Sequence, residues 1–314
     1  MIMNALSPRL RLFRPNIPII LILLAVIFLD FVPSGMRNFL LPWNFSPFIF
    51  CLTIFCGFSY ARGMGVLRRQ GLPRGFWKPL SFWLSLGLFY GMLQTRFDYY
   101  AQHVFFMHRL QHMVLHHLAP FLMALSWPQQ VLKAGMPSFI SSRWLPRIQQ
   151  NHIMKRTFNF LQHPFVSPVL FVGIIYFWLW PALHFDAMIN LHLYNIMNWS
   201  MAFDGLLFWF LMCDPRPYPV SRIAFGRRIL ILWAIMLPQI ALGAVIALSP
   251  VDLYPSYALC GRAFNINPIV DQHLGGLITW IPSSMMSAIG SLAVLRMMVR
   301  HDERIHEALR VERT

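Results

Sequence analysis

Charged side chains are scarce in this chain, and their scarcity limits the class of protein that it can form. Asp, Glu, Lys and Arg together make up 12% of the 314 residues, whereas 57% of the residues are hydrophobic. A soluble globular domain normally carries about 25% charged residues. An aqueous fold of this size could not bury so much apolar surface, so we expect lipid to be the solvent for much of the chain.

Several sequence signatures of other protein classes are also missing. The sequence has no glycine-rich phosphate-binding motif and no acidic cluster of the kind that binds a nucleotide with magnesium, which argues against an ATP-driven pump. Cysteine is rare, with no CxxC motif, so it indicates neither a disulfide framework nor a redox compartment. The four cysteines are Cys51, Cys56, Cys213 and Cys260.

Long apolar runs are abundant, and a transmembrane helix needs about 20 mostly apolar residues. The runs predict an all-α bundle of about eight transmembrane helices that forms a single domain over residues 1–314. No small-residue cleavage site follows the first run, so we expect that helix to be retained. The polar stretch 127–164 is predicted to be a cytoplasmic loop with an interfacial amphipathic helix. The predicted spans lie near 16–33, 45–61, 79–95, 103–126, 165–183, 190–213, 229–249 and 273–297.

The basic residues predict the orientation of these spans. Of the 26 Lys and Arg, 22 fall in the N-terminal tail, in alternate loops and at the C-terminal end. The opposite loops hold only Arg37, Arg96 and Arg262. This asymmetry predicts that both termini are cytoplasmic. The net charge of +15 then reflects topology and anionic lipid headgroups, and it does not require a nucleic-acid partner.

Histidines concentrate on the predicted outer side. The predicted fourth helix alone contains five of the twelve, and three of them, His108, His112 and His116, follow one another at a spacing of four, which places them in one stripe on a helix. Two imidazoles four residues apart can hold one metal ion, and neutral imidazole suits copper or zinc. The alternative is that such histidines only bond to neighbouring helices. The candidate metal ligands are His103, His108, His112, His116, His117, His184, His192 and His273.

Other polar and sulfur-containing side chains lie close to these histidines in the sequence. Asp204 falls deep in the predicted sixth helix, where an unpaired carboxylate would be costly, so we expect His116, His117 or Arg109 to be its partner. It could orient a ligand imidazole or contact a metal directly. Thioether sulfur is a soft ligand for Cu(I), although Met is also a common packing residue. The supporting residues are Asp204, Arg109, Asp271, Met107, Met113 and Met197.

Four sequence blocks together resemble the CtaG-like cytochrome c oxidase assembly factors, which are multi-spanning bacterial membrane proteins. The blocks are His112-Met113-x-x-His116-His117-Leu118-Ala119-Pro120, Gln162-His163-Pro164, the His192…Asp204 segment, and Asp271-Gln272-His273-Leu274-Gly275-Gly276…Trp280. The resemblance covers roughly residues 80–300. It implies a role in the maturation of haem–copper oxidases through their copper centres, with oxidase subunits as partners.

The leading hypothesis is therefore a non-catalytic, copper-handling assembly factor of the bacterial inner membrane. Copper would bind at the outward-facing histidines and pass to an oxidase subunit, with a periplasmic copper chaperone as a further partner. A haem-binding oxidoreductase is also compatible with the sequence, because His103 and His117 are 14 residues apart, as in helices that serve two haems. A copper transporter and a metal-free scaffold are compatible with it as well.

Overall fold

The computed structural model describes Pro42 and residues 44–259 and 261–311. The predicted first helix, near 16–33, lies outside these residues. The described part of the chain contains no β-strand and only one isolated bridge, between Pro42 and Thr95. The predicted all-helical fold class is therefore confirmed for this part.

The helices follow one another with short connections. They are α1 (Pro47–Arg69), α2 (Trp77–Gln94), α3 (Phe97–His103), α4 (Phe105–Met113), the π-helical segment π1 (Val114–Leu118), α5 (Ala119–Ser126), α6 (Gln129–Gly135), the π-helical segment π2 (Ile140–Trp144), α7 (Leu145–Gln150), α8 (His152–Leu161), α9 (Val166–Leu179), α10 (Pro181–Ile189), α11 (Leu191–Met212), α12 (Phe225–Leu248), α13 (Ser256–Leu259) and α14 (Pro268–Val311).

Three of these helices, α1, α12 and α14, are long and apolar enough to cross a membrane. The adjoining α8 and α9 meet the same test as a pair, but they are bent by 74° relative to each other. The described residues thus hold three candidate spans, or four if the bent pair is one span. The count of eight spans remains a prediction.

Helix α14 is much longer than the predicted span 273–297. Its 44 residues correspond to about 66 Å at 1.5 Å per residue, which is about twice the thickness of the hydrocarbon core of a bilayer. Pro282 lies inside this helix. The last turns of α14 are exposed and rich in Arg and Glu, so a large part of the helix must extend beyond the membrane.

The predicted loop 127–164 is helical over much of its length. Within α8, the residues His152 to Phe160 are all exposed, and they include Ile153, Phe158 and the basic Lys155 and Arg156. An exposed helix that carries both apolar and basic side chains fits an interfacial position, and that position remains a prediction.

Three apolar clusters form the core, and the smallest, of Tyr60, Phe82 and Val131, joins α1, α2 and α6. The other two surround the histidine-bearing run. The first surrounds Phe171 and Trp209 and joins α5, α9, α11, α12 and α14. The second surrounds Met197 and Tyr257 and joins α4, α9, α10, α11, α12 and α13. The histidine-bearing run of α4 and π1 packs against both clusters: His108 lies against Tyr257 and His116 against Phe171.

The predicted helix 103–126 is interrupted near its start. Val104 is extended, with φ −145° and ψ 125°, so His103 ends α3 and the other four histidines follow on α4 and π1. The backbone N–H groups of Phe105 and Phe106 donate to Asp271 Oδ2 and Oδ1, at 3.1 and 2.8 Å. Arg262 Nη1 lies 3.5 Å from Asp271 Oδ2. A carboxylate on α14 therefore caps α4 from outside its own segment.

We expect Asp271→Ala to lower the free energy of unfolding by about 1–2 kcal/mol, because it leaves two N–H groups at the start of α4 without their acceptor. The measurement is thermal unfolding of the purified protein in detergent. Asp302→Ala, at an exposed position of the same helix, is the matched control and should unfold like the wild type. An Asp271→Ala protein as stable as this control would contradict the capping role.

Candidate functional site

Four of the predicted ligands come from one helical run and are fully enclosed. His108 and His112 lie on α4, and His116 and His117 lie on π1. His184 joins them from α10. None of the five is more than 2% exposed. The stripe therefore faces the protein interior, as expected for polar groups on a membrane helix.

His108, His112 and His184 form one group of rings, which we call the upper group. The ring centroid of His108 lies 4.2 Å from that of His112 and 5.2 Å from that of His184. His184 Nδ1 is 3.0 Å from the carbonyl oxygen of Trp178, and His184 Nε2 is 3.0 Å from Tyr257 Oη. Because a carbonyl can only accept, Nδ1 donates and Nε2 accepts the tyrosine proton. Both nitrogens of His184 are therefore engaged within the protein.

His116, His117 and Asp204 of α11 form a second group, which we call the lower group. His116 Nε2 lies 3.0 Å from Asp204 Oδ2, so of the three expected partners His116 is the one that binds this carboxylate. The imidazole of His116 stacks on Phe171 at a centroid distance of 4.0 Å, and the ring of His117 is 4.9 Å away. A carboxylate behind an imidazole is the arrangement that orients histidine ligands in metal sites.

The π-helical turn explains why two consecutive histidines are both buried. A π-helical turn contains one residue more than an α-helical turn, and such turns occur often at functional sites. Helix α11 approaches π1 closely at Gly205, where an added Cβ would lie 2.4 Å from the carbonyl oxygen of His116 and 2.9 Å from Pro120 Cγ. Only glycine allows Asp204 to come within reach of His116 here.

Hydrogen bonds to α11 decide which ring nitrogen of His112 and of His116 remains free. His112 Nε2 lies 3.0 Å from Asn198 Oδ1 and His116 Nε2 binds Asp204, so both Nε2 atoms donate. In a neutral ring, the Nδ1 atom of each then carries a lone pair. Neither Nδ1 atom has a hydrogen-bond partner among the described residues. We call these two atoms, His112 Nδ1 and His116 Nδ1, the open nitrogens.

A small enclosed cavity lies beside the histidine-bearing run. Its volume of about 10 Å³ is close to the space of a single water molecule or a small ion. Two imidazoles and two thioethers reach it, together with a guanidinium, an apolar side chain and two hydroxyls. The lining residues are Arg109, His112, Met113, His117, Ile175, Met201, Thr279 and Ser283.

Of the predicted ligands only His112 and His117 line this cavity, and His103, His192 and His273 also lie outside the two groups. His103 Nδ1 is 2.7 Å from the carbonyl oxygen of Tyr99, and His273 Nε2 is 3.3 Å from that of Ser249. His192 is exposed at the start of α11. Of the supporting residues, Met197 is buried in the second apolar cluster, Met107 is partly buried on α4 and Asp271 caps α4.

Sequence reasoning missed a polar network on the other side of α4. Asp98 Oδ1 accepts from Gln111 Nε2 at 2.9 Å and from Tyr194 Oη at 2.7 Å, and Asp98 Oδ2 accepts from Gln102 Nε2 at 2.7 Å. It also missed Asn198, which lies one turn after Tyr194 on the buried face of α11. Their signal was available, since amides and a carboxylate inside apolar helices need partners.

The described residues contain no group of three or more His, Cys, Asp or Glu side chains that could hold a metal ion. The rings of the upper and lower groups are close, but they do not form such a group. Any metal site in this part of the chain would therefore need methionine sulfur or an external ligand besides imidazole.

The fold and this interior define a helical membrane protein with a buried, histidine-rich polar centre. The chain belongs to the cytochrome c oxidase caa3 assembly factor family, whose profile matches residues 58–301. The resemblance inferred from the sequence motifs is thereby confirmed. No solved structure matches the chain.

Curated mycobacterial proteins are similar to the chain. An uncharacterized protein of Mycobacterium bovis and one of Mycobacterium tuberculosis are each 25% identical over 281 residues. An uncharacterized protein of Mycobacterium leprae is 27% identical over 288 residues. In each case the match covers 87% of this chain and 42% of the relative, so the chain spans less than half the length of these relatives.

We expect Gly205→Ala to destabilise the protein by about 1–3 kcal/mol, because the added methyl group forces α11 away from π1. The measurement is thermal unfolding in detergent. Gly173→Ala on α9 is the control, because no atom of the described chain lies within 4 Å of its added Cβ. Equal stability of the two variants would show that α11 and π1 do not depend on this close approach.

Proposed function

We propose that this protein is a copper-binding assembly factor that supplies copper to a haem–copper cytochrome c oxidase. The family supports the role in oxidase assembly. The observation that carries the copper part is the cavity, which is lined by His112, the bearer of one open nitrogen, and by His117, whose two ring nitrogens have no hydrogen-bond partner among the described residues. Neutral imidazole nitrogen with a hydrogen-bonded far side is a good copper ligand.

The sulfur atoms of the cavity support Cu(I) in particular. Met113 and Met201 line the cavity together with His112 and His117. Thioether is a soft donor that favours Cu(I) over harder ions. The cavity accommodates one small ion, and these side chains would hold it. When bound there, copper would be enclosed by protein, so its release requires the helices around α4 and α11 to move.

The route of copper follows from the predicted orientation. We propose eight spans with both termini in the cytoplasm of a bacterial cell, so that the histidine-bearing end of the bundle faces the periplasm. Copper would arrive from that side, from a periplasmic chaperone, and leave to an oxidase subunit. The bias of Lys and Arg toward alternate loops supports this orientation. The role is non-catalytic, because delivery of a metal ion forms and breaks no substrate bond.

We expect the purified protein to bind about one Cu(I) per chain, and the double variant His112→Ala/His117→Ala to lose this binding, because both imidazoles that line the cavity are removed. The measurement is competition with a chromophoric Cu(I) chelator. His152→Ala, on the exposed face of α8, is the control and should bind like the wild type.

Two results, one from this competition and one from an absorption spectrum, would contradict the copper proposal. Undiminished Cu(I) binding by the double variant would exclude these imidazoles as the site. A strong Soret absorption band in the protein as isolated would instead indicate a haem-binding protein. In cells, the double variant should lower the copper content of the oxidase as well as its activity, whereas a metal-free scaffold would leave copper content per oxidase unchanged.

We expect a fluorescent protein fused to the C-terminus to fluoresce, because its folding requires the cytoplasm. Alkaline phosphatase fused within the loop 249–267 should be active, because that enzyme folds in the periplasm. The reverse pair of results would invert the proposed orientation and place the histidines on the cytoplasmic side.

A further inference from the structure

Arg109 lines the cavity, and no described residue supplies a counter-ion for its charge. The side chain is buried, and its Nε and Nη1 atoms have no hydrogen-bond partner among the described residues. No Asp or Glu of the described chain forms an ion pair with it, since Asp204 pairs with His116 instead. Burial of an unpaired charge is costly, so the position of this guanidinium calls for an explanation.

The surrounding helices hold this arginine in place. Helix α14 passes close to its aliphatic stem at Gly275, where an added Cβ would lie 3.1 Å from Arg109 Cγ and 2.3 Å from Phe105 Cδ1. The hydroxyls of Tyr254 and Tyr257 lie near enough to interact electrostatically with the guanidinium. The side chain therefore cannot turn outward to water, and its positive field acts on the cavity permanently.

A fixed positive charge discriminates between ions that enter the cavity. Electrostatic repulsion grows in proportion to the charge of the ion, and it is stronger in a buried site than in water. An imidazole site without such a charge would favour Cu(II) and also bind Zn(II) well. The softness of Met113 and Met201 offsets the repulsion of a monovalent copper ion, whereas Zn(II) meets twice the repulsion and gains less from sulfur.

We propose that Arg109 is a specificity-determining residue that restricts the cavity to monovalent Cu(I) and excludes divalent ions. This inference rests on the proposed copper site. It explains why a charged guanidinium is buried at this position, which the hydrogen bonds and ion pairs of the described chain do not explain.

The experiment compares the affinities of the full-length protein for Cu(I) and for Zn(II), which share a filled d shell and differ in charge. Arg109→Gln removes the charge. We expect Arg109→Gln to raise the affinity for Zn(II) by at least about tenfold, while Cu(I) binding is kept or strengthened. Met201→Leu is the matched control in the same cavity and should weaken Cu(I) binding without raising the Zn(II) affinity.

The results separate this inference from the function on which it rests. Absence of Cu(I) binding in the wild type would overturn the copper site itself. Wild-type Cu(I) binding with an unchanged Zn(II) affinity in Arg109→Gln would overturn only the role of Arg109. If Arg109→Gln does not fold, the wild type alone still gives a test, because Zn(II) binding as tight as Cu(I) binding would contradict a charge filter.

Discussion

The polar centre of this protein depends on two hydrogen bonds that α11 makes to the histidine-bearing run. Asn198 and Asp204 each accept a ring proton, from His112 and His116, and thereby fix both the orientation of the imidazoles and the nitrogen that carries the lone pair. In an apolar interior such groups cannot turn to water for a partner. The packing of α11 on π1 therefore determines which imidazole nitrogens carry the lone pairs.

Three backbone features make this contact possible. Gly205 removes the side chain that would separate α11 from π1. The π-helical turn brings His116 and His117 to the interior together, although they are adjacent in sequence. The extended residue Val104 separates α3 from α4, and Asp271 caps the start of α4. Each feature is local, but together they place side chains from α4, π1, α9, α11 and α14 around one cavity.

Much of this arrangement could be predicted from the sequence, because helical periodicity is a local property. The spacing of His108, His112 and His116 indicated a common face, and the depth of Asp204 required a partner. The grouping of His184 with His108 could only be expected from their shared side of the bundle. The separation of His103 could not be predicted, because it depends on one extended residue, and the contribution of Thr279 and Ser283 depends on how α14 packs.

Asp271 and the exposed Arg- and Glu-rich turns at the far end belong to one continuous helix of 44 residues. The carboxylate near one end fixes the start of α4, and the exposed turns lie at the other end, beyond Pro282. Because the helix is continuous, any displacement of its exposed end would be transmitted to that carboxylate and so to the imidazole-bearing run that it holds.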